Sequence, residues 1–263
     1  MLEIDNRGIM IRPYILAETN WKHLKDADIE LAVLPWGATE AHNYHLPYAT
    51  DNIEGKAIAE ESARIAWEND ANVIVLPNIP FGVNTGQSDI YLDINLNPST
   101  QFQILKDIIE VLNRQGIHKF MILNSHGGND FKSMVRELGL LYPDMFICVT
   151  FWPKMLDRHK YFTDPGDHAD EMETSLVLHL EPHLVLPEKE WGDGAERKNK
   201  IAAFNEDWAW SERPWSKVTK DTGIGDPKAA TMEKGEKFFN AVCNKMAQLF
   251  IDLSKADIDD LYE

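Results

Sequence analysis

Only two cysteines, Cys148 and Cys243, occur in 263 residues, far apart and in apolar surroundings. The chain therefore has no disulfide framework and reads as a protein of the reducing cytoplasm. No apolar run approaches the roughly 18 residues that a spanning helix needs, and the opening MLEIDNRGIMIRPY lacks the basic region and apolar stretch of a secretory signal. Cations are scarce as well: 26 Lys and Arg against 43 Asp and Glu leave a net charge of −17. Dispersed along the chain, they form no basic face for nucleic acid or an anionic membrane. Around Ser125 the Gly-x-Ser-x-Gly elbow is missing, and GIGDP lacks the Lys-Ser/Thr of a phosphate loop, which excludes the serine hydrolase and P-loop readings. What remains is a globular composition, long enough for one large α/β domain spanning 1–263.

Short apolar runs alternate with helical periodicity. ELAVLPW (30–36), NVIVLPN (72–78), HKFMILN (118–124) and MFICVTF (145–151) are β-branched and nearly continuously apolar, as strands covered on both faces are. Helices are predicted over about 54–68, 99–115 with Ser99 or Thr100 as cap, 131–141, and 232–254. This βαβα order predicts a three-layer αβα sandwich around a mainly parallel sheet. Ligands in such sheets bind beyond the carboxyl ends of the strands, where GATEAHNYHLPYATD, NIPFGVNTGQSD, NSHGGND and WPK all begin. Four loops are expected to meet on one rim. The stretch at about 190–217 carries Trp191, Trp208, Trp210 and Trp215 without a clear period and reads as an insertion, either a lid, a subunit contact or loop aromatics packed on the parent domain.

The first of these loops is rich in metal-capable groups. Glu40 and His42 alternate on an extended segment and Asp51 returns nine residues later, after Leu46-Pro47, a spacing that can wrap a divalent cation, with Asp51 able to bridge two. Solvated loop acids and surface histidines would leave the same letters. His126 is followed by Gly127 and Gly128, which let backbone approach a ligand closely; a glycine turn with a bystander histidine is the alternative. In DHADEMETSLVLHL (167–180), Met172, Leu176, Val177 and Leu180 form an apolar arc of about 140°. Glu173 falls inside that arc and Glu171 opposite, toward water. An acid in an apolar stripe is costly unless it is paired or ligates a metal, so Glu173 is expected to have a partner, with a buried Glu–Lys pair as the other solution. His168 precedes the helix, within reach of the same rim or as a terminal cap.

Taken in order, PWGATEAHNYHLPYATD, NSHGGN, HADEMETS and GIGDPKAATMEKGE resemble the blocks of the creatininase (creatinine amidohydrolase) family. The resemblance runs from about Leu31 to Glu236. It implies a two-metal hydrolase of cyclic or other amides with two divalent ions (Zn, Mn or Fe) per chain, commonly a homo-hexamer, acting on a small-molecule amide. By the same resemblance Glu40, Asp51 and His126 hold one ion, His42 and the bridging Asp51 hold the other, and His168 transfers protons. Creatinine hydrolases of the family carry a glutamate two residues after the second-block histidine as a further ligand of the second ion, whereas this chain has Gly128. Glu173 or water is expected to take that place, with Glu173 otherwise orienting His168. Gly128, together with Asn43 and Tyr44 where relatives have Gly-Pro, argues against creatinine itself and toward a formamide or another cyclic amide. Two rivals remain: a metallophosphoesterase, disfavoured because the metal loops carry no Lys or Arg before Lys132, and a metal-binding protein of the same fold without turnover.

Overall fold

The computed structural model describes residues 12–163 and 165–263. Four parallel strands, β1 (Leu31–Trp36), β2 (Val73–Val75), β3 (Lys119–Asn124) and β4 (Phe146–Phe151), form one sheet in the order β2-β1-β3-β4. Leu31 pairs with Val73 on one side and with Lys119 on the other, and Lys119 with Phe146. All four strands fall where the apolar runs predicted them. β1 and β3 are buried along their whole length because both faces are covered. Alternate residues of β1 enter different cores: Leu31 and Val33 pack with Ile58, Leu176, Phe238 and Val242, while Ala32 and Leu34 pack with Leu105, Ile109, Phe131 and Leu138. That two-residue alternation into two apolar layers is the αβα sandwich.

One layer is made by α1 (Thr50–Trp67), α4 (Glu171–Leu180) and α5 (Met232–Lys255), the other by α2 (Pro98–Arg114) and α3 (Lys132–Leu141). Helix α1 begins four residues earlier than predicted. The Pro47 carbonyl accepts both the Thr50 N–H and its hydroxyl, which starts the turn directly after the extended Leu46-Pro47. Asp51 therefore stands in the first turn of a helix rather than in a loop, where the helix dipole favours a carboxylate. Helix α2 starts at Pro98, with no side-chain cap, rather than behind a Ser99 or Thr100 cap; a proline suits the first helical position. Asp170 caps α4 by accepting the Met172 and Glu173 N–H groups. Among the described residues no helix is long and apolar enough to cross a membrane.

Candidate metal centre

Beyond the carboxyl ends of the strands, the loops after β1, β2, β3 and β4 border one cavity of about 750 Å³, together with the start of α4 and part of the Trp-rich stretch. At its floor six predicted residues come together, all buried: Glu40, His42, Asp51, His126, His168 and Glu173. Glu40 Oε1 lies 2.9 Å from His126 Nδ1. Asp51 faces two ways, with Oδ1 3.1 Å from His42 Nε2 and Oδ2 3.0 Å from His126 Nδ1. Glu173 Oε2 accepts the Ala169 N–H and lies 4.0 Å from His42 Nε2. Ligand atoms of Glu40, Asp51 and His126 lie within 4.8 Å of one another, as do those of His42, Asp51 and Glu173, and those of Glu40, His42 and His168.

Each histidine is held from behind. His42 Nδ1 bonds the Glu40 carbonyl at 3.1 Å, His126 Nε2 the Val83 carbonyl at 3.0 Å and His168 Nε2 the Ala41 carbonyl at 2.9 Å. A ring nitrogen donating to a carbonyl points the other nitrogen at the carboxylates, where it offers a lone pair to an ion once its proton is displaced, the support that metal-binding histidines ordinarily have. Asp51 Oδ2 also has no aligned hydrogen-bond donor despite its closeness to His126. Buried acids and imidazoles grouped in this way, with an oxygen left over, suit divalent cations, and the residues fit such ions.

Without metal, the centre shows strong proton affinity. Burial alone would depress His42, but Asp51, Glu173 and Glu40 outweigh it and push its pKa to about 10. His126 is likewise raised against its burial by Glu40 and Asp51. Asp51 is held low by His42 and His126 in spite of burial. Glu173 is pushed up to about 8 by burial, with Asp170 and Asp51 adding to it against His42. His168 is lowered, by burial first and then by His42, so its imidazole stays neutral near neutral pH.

Gly128 shapes the second cluster. A Cβ there would lie 2.3 Å from the Val83 carbonyl oxygen and 2.5 Å from His126 Nε2. The carbonyl that orients His126 thus fills the space a side chain would need. No ligand can come from position 128 in this backbone, and Glu173 enters the cluster from α4 instead.

Glu171 departs from expectation. It is fully buried, accepts the Thr163 N–H at 2.8 Å and pairs with Lys234. The far side of α4 is not solvent, because α5 packs against it so closely that a Cβ at Gly235 would meet the Ser175 carbonyl. The Glu–Lys pair weighed for Glu173 thus belongs to its neighbour.

Three further groups escaped the sequence reading. Gln87 is buried and donates to Glu40; its loop was placed at the rim, but its amide gave no signal. Asp93 accepts the Ala41 N–H at 3.3 Å and is pushed up to about 7 by burial and by Glu40. Glu54 is fully buried with no hydrogen-bond partner for either oxygen, and burial plus Glu173, Asp51 and Asp170 raise it well above the usual range. Its place three residues after Asp51 on one helix face was the available signal.

The Trp-rich stretch is divided. Trp208 and Trp210 are 73% and 83% exposed, whereas Trp191 stacks on buried His45 at 4.7 Å and Trp215 meets the His168 ring edge-on at 4.8 Å. Arg213 binds Asp167 at 2.7 Å and lies over Trp215, and Glu212 accepts the Thr85 hydroxyl at 2.6 Å. The stretch thus spans the cavity mouth from the α4 side to the β2 loop.

Comparisons with known proteins place the family and the fold. The chain matches the sequence profile Creatininase, described as creatinine amidohydrolase, over residues 17–250. A mycofactocin precursor peptide peptidase of Mycobacterium tuberculosis is 27% identical over 222 residues, 80% of each chain. A crystal structure from Bacteroides fragilis NCTC 9343, provisionally described as a creatinine amidohydrolase, is 40% identical and superposes with a TM-score of 0.89 over 96% of this chain and 99% of that one. Creatininase structures of Zn–Zn and Mn type, 20% identical, share the fold, with TM-scores of 0.71 and 0.72 over 92% of this chain and 99% of each.

Proposed function

The chain belongs to the creatininase family, and from that premise we propose that it is a metal-dependent amidohydrolase that cleaves the C–N bond of an amide with water. The observation that carries this reading is Asp51, whose two oxygens face the histidines of two different carboxylate-histidine clusters. Glu40, Asp51 and His126 would hold one ion, and His42, Asp51 and Glu173 the other; Zn and Mn are the ions named for the related creatininase structures. Bound there, two divalent cations would acidify a water and polarise the substrate carbonyl. The chain's own contribution centres on His168. Its Nε2–H is committed to the Ala41 carbonyl, so Nδ1 is free to accept a proton from the attacking water and deliver it to the departing nitrogen. Trp215 packs against that ring and limits its rotation, while Gln87 fixes Glu40.

Cyclic amides and formamides remain candidate substrates. The peptidase name of the mycobacterial relatives adds peptide bonds, so the reading does not exclude them. Assembly as a homo-oligomer, the hexamer of the family resemblance, is part of the proposal. The test is amine release from cyclic amides, formamides and short peptides by metal-loaded protein, by chelator-treated protein and by His168→Ala. Turnover that needs metal, and that His168→Ala abolishes while retaining its ions, supports the reading. Turnover that survives in His168→Ala removes the proton role. The phosphoesterase reading regains support from one observation: Lys154, Arg158 and Arg213 border the cavity, cations supplied by segments remote from the metal loops. Hydrolysis of p-nitrophenyl phosphate but of no amide would select it.

A further inference from the structure

The cavity border carries charges of both signs. At the β2 end it includes Thr85, Gln87 and Glu212, and at the β4 end Lys154 and Arg158. Each of these two cations is tied to an element that carries a metal-centre residue. Lys154 ends the short turn that follows β4, and the buried Trp152 of that turn donates its indole N–H to Ser125 at 2.5 Å, next to His126. Arg158 lies 3.7 Å from Asp170, the cap of the helix bearing Glu173. Lys154 has no carboxylate partner among the described residues; its ammonium rests 5.7 Å from the centre of the Phe151 ring. Lys154 is exposed at the cavity border, so its ammonium is solvated and open to an incoming anion. Arg213 is different, since Asp167 already neutralises it.

We propose that Lys154 and Arg158 form a carboxylate subsite, so that the substrate is an amide carrying a carboxylate, such as an N-acyl amino acid or the C-terminal unit of a peptide. This rests on the amidohydrolase reading and names the substrate class of that site. One carboxylate fits better than a dianionic phosphate, because Arg158 is shared with Asp170 and Asp130 also borders the cavity. A carboxylate is recognised by such charge-assisted hydrogen bonds between two ions, whereas an uncharged amide gains much less from them.

Succinic and glutaric monohydroxamic acids and their terminal carboxamides test this by titration calorimetry on the Mn-loaded full chain, since hydroxamates bind the metals and only the acids carry the second charge. The acids should bind about tenfold more tightly than the amides. In Lys154→Met the margin should shrink, in Lys154→Met/Arg158→Gln it should disappear, and binding of the amides should change far less than that of the acids. Lys154→Met alone leaves the Arg158–Asp170 contact intact, which separates loss of charge from loss of the helix cap. Equal binding of acid and amide by the unaltered chain, or an acid preference that survives both substitutions, overturns the subsite and leaves the metal centre standing. Failure of every hydroxamate to bind overturns the metal reading and the subsite with it.

Discussion

The two ends of the central sheet treat buried charge in opposite ways. At the amino end of β3, Lys119 is buried, but its ammonium reaches the Ser254 carbonyl at 2.8 Å and Glu30 at 3.2 Å: one cation answered by the protein alone. At the carboxyl end, Glu40, Asp51 and Glu173 crowd around three histidines, with Glu54 buried behind them and unpartnered. Buried polarity that the chain satisfies itself contributes to the fold, whereas polarity left with surplus carboxylate oxygens calls for an external cation. On the proposed reading one sheet carries a structural end and a functional end, and the hydrogen-bond accounting tells them apart.

Substitutions should deepen that contrast or erase it. His126→Ala should lower amide hydrolysis by more than about 100-fold, beyond the cost of losing a mere supporting group. Its ion content, read on the same sample, should fall as well. Gly128→Glu should not add a ligand. With the Val83 carbonyl in the way, it should destabilise the fold by about 2–3 kcal/mol, seen as a lower urea midpoint. A gain in metal affinity at position 128 would show that the second cluster is arranged differently.

The pH response of the metal-free protein sharpens the same comparison. Glu173, raised from 4.5 to about 8, and His42, raised from 6.5 to about 10, both bind more protons folded than unfolded above their ordinary values. Their contribution is therefore present at low pH and declines as pH rises, from 4.5 to about 8 for Glu173 and from 6.5 to about 10 for His42. Thermal midpoints of chelated protein should fall between pH 6.5 and 8. Added metal displaces those protons and should reverse the slope. Identical slopes with and without metal would separate these groups from the ions. The smallest effect belongs to the other end: Lys119→Met should cost about 1 kcal/mol, its pair with the half-exposed Glu30 contributing little, with hydrolysis and ion content unchanged.

What the sequence made legible follows from the range of the interaction. The strands were readable because burial on both faces leaves continuous apolar runs, and the rim loops because each directly follows a strand. Glu40, His42, Asp51 and His126 were conspicuous since no core accounts for them, and Glu173 because an acid interrupts an apolar arc. Glu171 was misplaced because periodicity assigns one wet face to a helix, and only the packing of α5 shows that α4 has none. Glu54 was missed because the predicted helix began at it, which hid the face it shares with Asp51 one turn earlier. The cations of the cavity were invisible for another reason: Lys154, Arg158 and Arg213 come from segments that only the fold brings beside the metal loops.

The central claim is that Asp51 is shared by two ions, the second completed by Glu173 in place of a ligand at 128. Elemental mass spectrometry on protein purified without chelator, alongside Glu173→Ala and His126→Ala, tests it most directly. The account predicts about two ions per chain, about one in Glu173→Ala, and a loss in His126→Ala as well. A single ion in the unaltered chain, or two that persist in Glu173→Ala, would contradict it.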